Sequence, residues 1–284
     1  MRFCKFHGFG NDYLVLASED LRAVESLADF ARQICERHTG VGADGIAVWE
    51  KSNDTAADFL VRIFNPDGSE AAFSGNGTRC AAAFLHYKQI WTDQELRLRT
   101  KSGIKNYRLI ETESTGSYRF EAELGKPKFD AFSIPMTNEK NLERVIDLPL
   151  QAGGKIFSIS AVNVGNPVVC VFVEDFDDFD WRKVGREIET HPFFPERANA
   201  VFVRVLDREN IELRIWERGA GETPASGTCS IGAAVLTVVR GETRRRVAVH
   251  SPGGAAGVFW REDDEILLTG RADLAFCGEW HEPN

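Results

Sequence analysis

The chain has no apolar stretch close to the ~20 residues that a bilayer-spanning helix needs, which excludes a helical membrane segment and any membrane role built on one. Its first residues, MRFCKFHGFGNDYLVL, lack the cationic start, long apolar run and small-residue cleavage site of a secretory leader, so the cytoplasm is the expected compartment. Cysteine is sparse and scattered. Cys4, Cys35, Cys80, Cys170, Cys229 and Cys277 form no CxxC pair and have no histidine cluster beside them. That spacing excludes a zinc or iron–sulfur framework and reads, for most of the six, as small buried hydrophobes. Positive charge is also short: 34 Lys and Arg stand against 43 Asp and Glu, a formal net charge of −9. Such a balance argues against a nucleic-acid surface and for small ligands.

What the chain does have is length and a repeat. At 284 residues it is about twice the size of a typical ~150-residue domain, so two domains are expected. Residues 62–84, RIFNPDGSEAAFSGNGTRCAAAF, align without a gap on residues 214–236, RIWERGAGETPASGTCSIGAAVL. Arg62/Arg214, Ile63/Ile215, Glu70/Glu222, Ser74/Ser226, Gly75/Gly227, Ala81/Ala233 and Ala82/Ala234 are identical at one constant offset. Each copy reads as a strand, a loop and a Ser-Gly at the start of an apolar helix. Apolar spacing predicts helices over 21–37, 78–90, 181–190 and 227–239, with period-two strands elsewhere. The stretches CAAAFLH and IGAAVLTVV are apolar on nearly every face, the mark of a helix enclosed on all sides. The expected fold is α+β: two similar domains related by a pseudo-two-fold, each a mixed β-sheet wrapped round a central α-helix. The domains are expected at 1–128 and 129–270, with the tail from about 271 to 284 returning to the first.

Ser74 and Ser226 stand at N-cap positions, where the first helical turn leaves backbone N–H groups without partners and the macrodipole favours an anion. A carboxylate or phosphate is the natural guest there; simple capping by both serines is the alternative. Asn65 and Asp67 follow the first strand, Glu217 and Arg218 the second. Arg218 suits a substrate carboxylate and Glu217 an ammonium group, although an adjacent Glu-Arg also serves as a solvated or structural pair. His7 invites a catalytic reading, against which stands a plain structural one.

Taken together, FHGFGNDYLV (6–15), RHTGVGADGI (37–46), NPDGSEAAFSGNGTRC (65–80), VGNP (164–167), FPERANAVFV (194–203) and ERGAGETPASGT (217–228) resemble the diaminopimelate epimerase family. These epimerases invert amino-acid stereocentres without pyridoxal phosphate or another cofactor. The resemblance implies a homodimer of two-domain chains with the active site between the domains. It also implies substrate contacts from Asn11, Asn65, Asn166, Asn199, Glu217 and Arg218, and an α-carboxylate held by the helix-start amides of Gly75-Asn76 and Gly227-Thr228. In the family a cysteine at each helix start moves the α-proton. Here both positions are serine, Ser74 and Ser226; the histidine expected after Gly-Asn-Pro is Val168, and the glutamine after Gly-x-Gly-x-Asp is Gly45. Cys229, three residues after Ser226, and Cys80, deeper in its helix, are the nearest thiols.

The leading expectation is interconversion of LL- and meso-diaminopimelate, with Ser74 and Ser226 as opposing acid and base. The alternatives are a proton-shift isomerase or dehydratase that uses one carboxylate, Glu217 or Asp67, and a non-catalytic amino-acid-binding protein that kept the pocket.

Overall fold

The computed structural model describes residues 1–137 and 142–281. The chain divides into two compact units, one of residues 1–122 with the described residues from 269 onward, the other of residues 123–268. In the first unit the elements run β1 (Arg2–Gly8), β2 (Asn11–Ala17), a 3-10 turn (Ser18–Leu21), α1 (Leu27–Cys35), β3 (Gly45–Lys51), β4 (Phe59–Phe64), β5 (Glu70–Ala71), α2 (Gly75–Tyr87), β6 (Glu95–Thr100), β7 (Gly103–Ser114) and β8 (Ser117–Glu123). In the second they run β9 (Val145–Ala152), β10 (Lys155–Asn163), β11 (Pro167–Phe172), α3 (Trp181–Glu189), β12 (Asn199–Val205), β13 (Asn210–Glu217), β14 (Gly221–Thr223), α4 (Gly227–Val239), β15 (Arg246–Ser251) and β16 (Gly254–Trp260). The last strand, β17 (Ile266–Glu279), starts in the second unit and pairs antiparallel with β1 in the first.

The repeat extends well beyond the window that is visible in the sequence. In the first unit β1–β2 is antiparallel, β2–β3 parallel, β3–β4 antiparallel, β4–β6 parallel and β6–β7 antiparallel. In the second, β10–β11, β11–β12, β12–β13, β13–β15 and β15–β16 follow the same order of directions. A parallel neighbour requires a crossover; α1 and α3 lie in the first crossover of each unit, α2 and α4 in the second. The registers fix equivalences that sequence alignment misses. Phe64 faces Ile46 as Trp216 faces Ala200, so Gly45 answers to Asn199; Gly45 faces Tyr13 as Asn199 faces Val168. Tyr13 is therefore the first-unit counterpart of Val168.

The central helices are enclosed as their composition demands. α2 packs on β1, β2, β3 and β4, and is buried from Asn76 to Leu85; α4 packs on β10–β13, β15 and β16, and is buried from Cys229 to Thr237. A serine caps each of the first two helices. Ser26 accepts from the Asp29 amide and starts α1 at Leu27 rather than Leu21; Ser74 accepts from the Gly77 amide as the N-cap expected there, so α2 starts at Gly75, three residues ahead of the apolar spacing that began at Thr78. α2 ends before Gln89, whose φ of 56° is left-handed. Cys4 and Cys277, opposite each other on β1 and β17, form a disulfide that no sequence spacing announced. Among the described residues, Cys35, Cys80, Cys170 and Cys229 are free and buried, as small hydrophobes are.

Gly232 shows how tightly α4 is seated. A Cβ added there would lie 2.7 Å from Cγ1 of Val168, which is fully buried on β11. Gly232→Ala should therefore be destabilising by about 1–3 kcal/mol through overpacking, which outweighs the ~1 kcal/mol gain in helix propensity. Urea unfolding with an unchanged m-value and a lower midpoint is the expected result.

Candidate active site

The two Ser-Gly helix mouths share a backbone plan but not a chemistry. Both serines have extended N-cap dihedrals, φ −137° and ψ 120° at Ser74, φ −147° and ψ 127° at Ser226. Ser74 behaves as a cap: its Oγ accepts from the Gly77 N–H at 3.0 Å. It also lies 2.9 Å from the hydroxyl of Tyr13, a buried residue on β2. Ser226 makes no side-chain cap bond among the described residues. Its hydroxyl instead donates to Glu217 Oε2 at 2.8 Å, and Thr223 donates to Glu217 Oε1 at 2.7 Å.

Burial pushes the Glu217 carboxyl above its ordinary range, against the opposing pull of the Thr223 and Ser226 hydroxyls. A half-buried carboxylate that accepts from a serine hydroxyl is a general-base arrangement, of the kind absent from a plain helix cap. β13 supplies Glu217 at its last residue, and the short β13–β14 hairpin turns the chain back through Thr223 to Ser226. Glu189, buried at the end of α3, braces that hairpin by accepting from the Trp216 indole at 2.8 Å and the Gly219 amide at 2.9 Å.

The remaining second-unit residues expected at the site form one cluster. Arg218 donates through Nη2 to Asn166 Oδ1 at 2.8 Å, its backbone N–H donates to Asn199 Oδ1 at 2.9 Å, and Asn199 is anchored on the Pro167 carbonyl at 3.1 Å. The Arg218 guanidinium remains exposed, with Nη1 on the Glu196 carbonyl at 3.1 Å. Gly227 and Thr228 open α4, and Thr228 Oγ1 lies 3.5 Å from Ser226 Oγ.

In the first unit Asn11 and Asn76 are joined. Asn76 donates to Asn11 Oδ1 at 3.1 Å, and Asn11 donates to Asp44 Oδ2 at 2.8 Å. Asn76 Oδ1 accepts from Arg79, which is buried and also donates to the Arg271 carbonyl at 3.0 Å. Both ends of the Asn76 amide are thus taken inside the protein, which leaves its backbone, next to Gly75, as the part suited to a ligand. Asp44 and Asp12 are in turn pinned by Arg37 at 2.7 Å and Lys5 at 2.6 Å respectively. Asn65 lies apart from this chain of bonds, on the β4–β5 hairpin, where it donates to Ser69 Oγ at 2.9 Å.

Several candidates take structural roles. Asp67 is an exposed hairpin residue whose carboxylate accepts from the Ser69 hydroxyl and amide, which hold it below its ordinary range and make it a poor base. His7 accepts from the Gly10 amide at 3.4 Å in the β1–β2 turn. Cys229 is fully buried, and burial, then the Glu217 charge, push its thiol well up; burial raises Cys80 to about 12. Neither thiol is suited to replace a serine as base. Tyr13, Thr223 and Glu189 escaped the sequence reading. Thr223 aligns with Ala71 and Tyr13 lies outside the duplicated window, so the repeat could not flag them. The registers could have flagged Tyr13, because they place it opposite the departure at Val168.

A family model described as diaminopimelate epimerase matches residues 3–129 and 160–275. The diaminopimelate epimerase of Pelotomaculum thermopropionicum is 39% identical over 282 residues, covering 99% of each chain. That of Caldanaerobacter subterraneus is 40% identical over 281 residues, covering 98% of this chain and 99% of the other. Among solved structures, a phenazine biosynthesis protein of the PhzF family from Bacillus anthracis superposes with a TM-score of 0.71 at 18% identity, covering 99% of each chain; it shares the fold. By sequence along its whole length, the chain belongs to the diaminopimelate epimerase family.

Proposed function

We propose that this chain interconverts LL- and meso-diaminopimelate by two-base proton transfer at the α-carbon, without a cofactor, with serines in the two proton-transfer positions. The observation that carries the proposal is the 2.8 Å hydrogen bond from Ser226 to the half-buried carboxylate of Glu217. As Ser226 Oγ takes the α-proton, its own proton passes to Glu217, so the alkoxide never stands free. Ser74 supplies the proton to the opposite face. The backbone amides of Gly75-Asn76 and Gly227-Thr228 hold the α-carboxylate at the positive ends of α2 and α4. Arg218, set by Asn166 and Asn199, takes a carboxylate of the substrate, while Asn11 and Asn65 add polar contacts from the first unit.

The raised pKa of Glu217, caused by its partial desolvation, also supports a second reading, in which the carboxylate removes the proton itself in a different proton shift. The two separate by where label enters. Incubation in deuterium oxide should place deuterium at the α-carbon of diaminopimelate, in both epimers; label at another carbon of a different acid would favour the second reading. As in the family resemblance, the working form is a cytoplasmic homodimer.

A further inference from the structure

We propose that Tyr13 is a positioning residue that holds the Ser74 hydroxyl and recharges it with a proton, so that the first unit is built as the acid half of the pair and the second as the base half. The inference rests on the epimerase reading of the site and goes beyond it by giving the two serines unequal partners.

Strand register makes Tyr13 the equivalent of Val168 and, through Phe64 and Trp216, Asn65 the equivalent of Glu217. At paired positions 65 and 217 the first unit has an amide, Asn65, and the second a carboxylate, Glu217. At paired positions 13 and 168 the order reverses: the first unit has a phenol, Tyr13, and the second a hydrocarbon, Val168, packed on Gly232 of α4. Each serine hydroxyl thereby bonds an ionisable group of a different kind, Ser74 the Tyr13 phenol and Ser226 the Glu217 carboxylate. Tyr13 is buried, and its ring edge is fixed between Gly45 and Gly77: a Cβ at either glycine would come within 3.0 Å of the Tyr13 ring. The absence of side chains at those two positions is what lets the hydroxyl reach Ser74.

A serine hydroxyl has one proton to give and two lone pairs. Gly77 N–H fills one lone pair of Ser74. When the Tyr13 O–H fills the other at 2.9 Å, the single Ser74 proton is left for a ligand. Ser226 is arranged the other way, its proton directed onto Glu217. Aliphatic hydroxyls do not ionise in water, whereas a phenol does so near pH ~10, so a phenol is the better source for restoring a serine proton.

The α-C–H bond breaks and its electron pair stays on carbon, while Ser226 Oγ gains that proton and passes its own to Glu217. The carbanion then forms a new C–H bond with the Ser74 proton. As the Ser74 O–H bond breaks, the Tyr13 proton moves to Ser74 Oγ, and the phenolate is reprotonated by water as Glu217 releases its proton to water. The opposite direction retraces the same path.

The experiment compares α-deuterium incorporation into diaminopimelate by the full-length wild type, Tyr13→Phe, Ser74→Cys and the Tyr13→Phe/Ser74→Cys double variant. Tyr13→Phe should lower kcat by about 10²-fold and leave KM within about twofold. In the Ser74→Cys background, where the thiol ionises without a relay, the loss should shrink to under about threefold. Site-specific 3-fluorotyrosine at position 13 keeps the ring and hydroxyl while making the phenol more acidic, and should shift kcat at unchanged melting temperature. An undiminished kcat in Tyr13→Phe, an equal loss in both backgrounds, or a fluorotyrosine variant with wild-type kcat would overturn the relay and leave the epimerase reading standing. A wild type that labels no stereoisomer of diaminopimelate would overturn the epimerase reading, and the relay with it.

Discussion

Glu217→Gln should lower the rate of α-proton exchange by about 10²- to 10⁴-fold, the range that a positioned general base supplies. Glutamine keeps the size of the side chain and one oxygen acceptor for the Thr223 or Ser226 hydroxyl, which lie 2.7 and 2.8 Å from the carboxylate. What it loses is the ability to receive a proton. The fold should survive, and the sign of the pH effect shows why. Burial raises the Glu217 pKa above its ordinary value of 4.5, so the protonated form is favoured in the folded state. The associated stability is full below the unfolded-state pKa and is lost as pH rises through the folded one. At neutral pH the native carboxylate is thus a cost of folding that glutamine does not carry, and the variant should unfold at an equal or higher urea concentration. In the wild type, activity should rise with pH through the raised pKa of Glu217, because the base must be ionised to work; in Glu217→Gln that limb of the profile should vanish. A variant that retains the wild-type rate and pH limb would show that Ser226 acts without Glu217.

Ser74→Cys/Ser226→Cys should raise exchange by about 10²-fold or more. A thiol at a helix N-terminus ionises within reach of neutral pH, and a serine hydroxyl does not. The sulfur replaces the oxygen at the same N-cap, where Glu217 or Tyr13 already stands as partner. KM should change little, since Asn166, Asn199 and Arg218 are fixed to one another rather than to the serines. Steady-state kinetics from either epimer measures both parameters. A double variant that binds diaminopimelate but labels nothing would mean that the mouths do not support epimerisation, and would favour the binding-protein reading.

The legible part of this molecule was the part carried by short-range pattern. The repeated Ser-Gly, the all-apolar faces of α2 and α4, and the alternating strands follow from local composition, which is why the mixed-sheet, helix-centred fold could be read from the residues. The start of α1 shifted by six residues because it is decided by one hydrogen bond at Ser26 rather than by periodicity, whereas the cap at Ser74 was legible as Ser-Gly before an apolar run. The site was legible as a set of residue types, but its partnerships were not. Glu217 reads in sequence as a partner for an ammonium group or, in the alternative, as a lone carboxylate base; only the hairpin return through Thr223 brings its carboxylate to the Ser226 hydroxyl. Nothing in the sequence window linked Tyr13 to Ser74, 61 residues apart, because the contact is made by strand pairing and the two small residues Gly45 and Gly77. The Cys4–Cys277 disulfide was illegible for the same reason: its partners meet by register between the first and last strands.

Ser74 and Ser226 between them are expected to move a proton on and off the α-carbon. The direct measurement is incubation of the wild-type chain with LL-diaminopimelate in deuterium oxide, followed by NMR and chiral separation of the epimers. Two-base transfer predicts meso product labelled at the inverted α-carbon from the first turnovers, with the same label appearing when the meso form is the starting material. Unlabelled substrate and no second epimer, at protein concentrations that bind the amino acid, would contradict it.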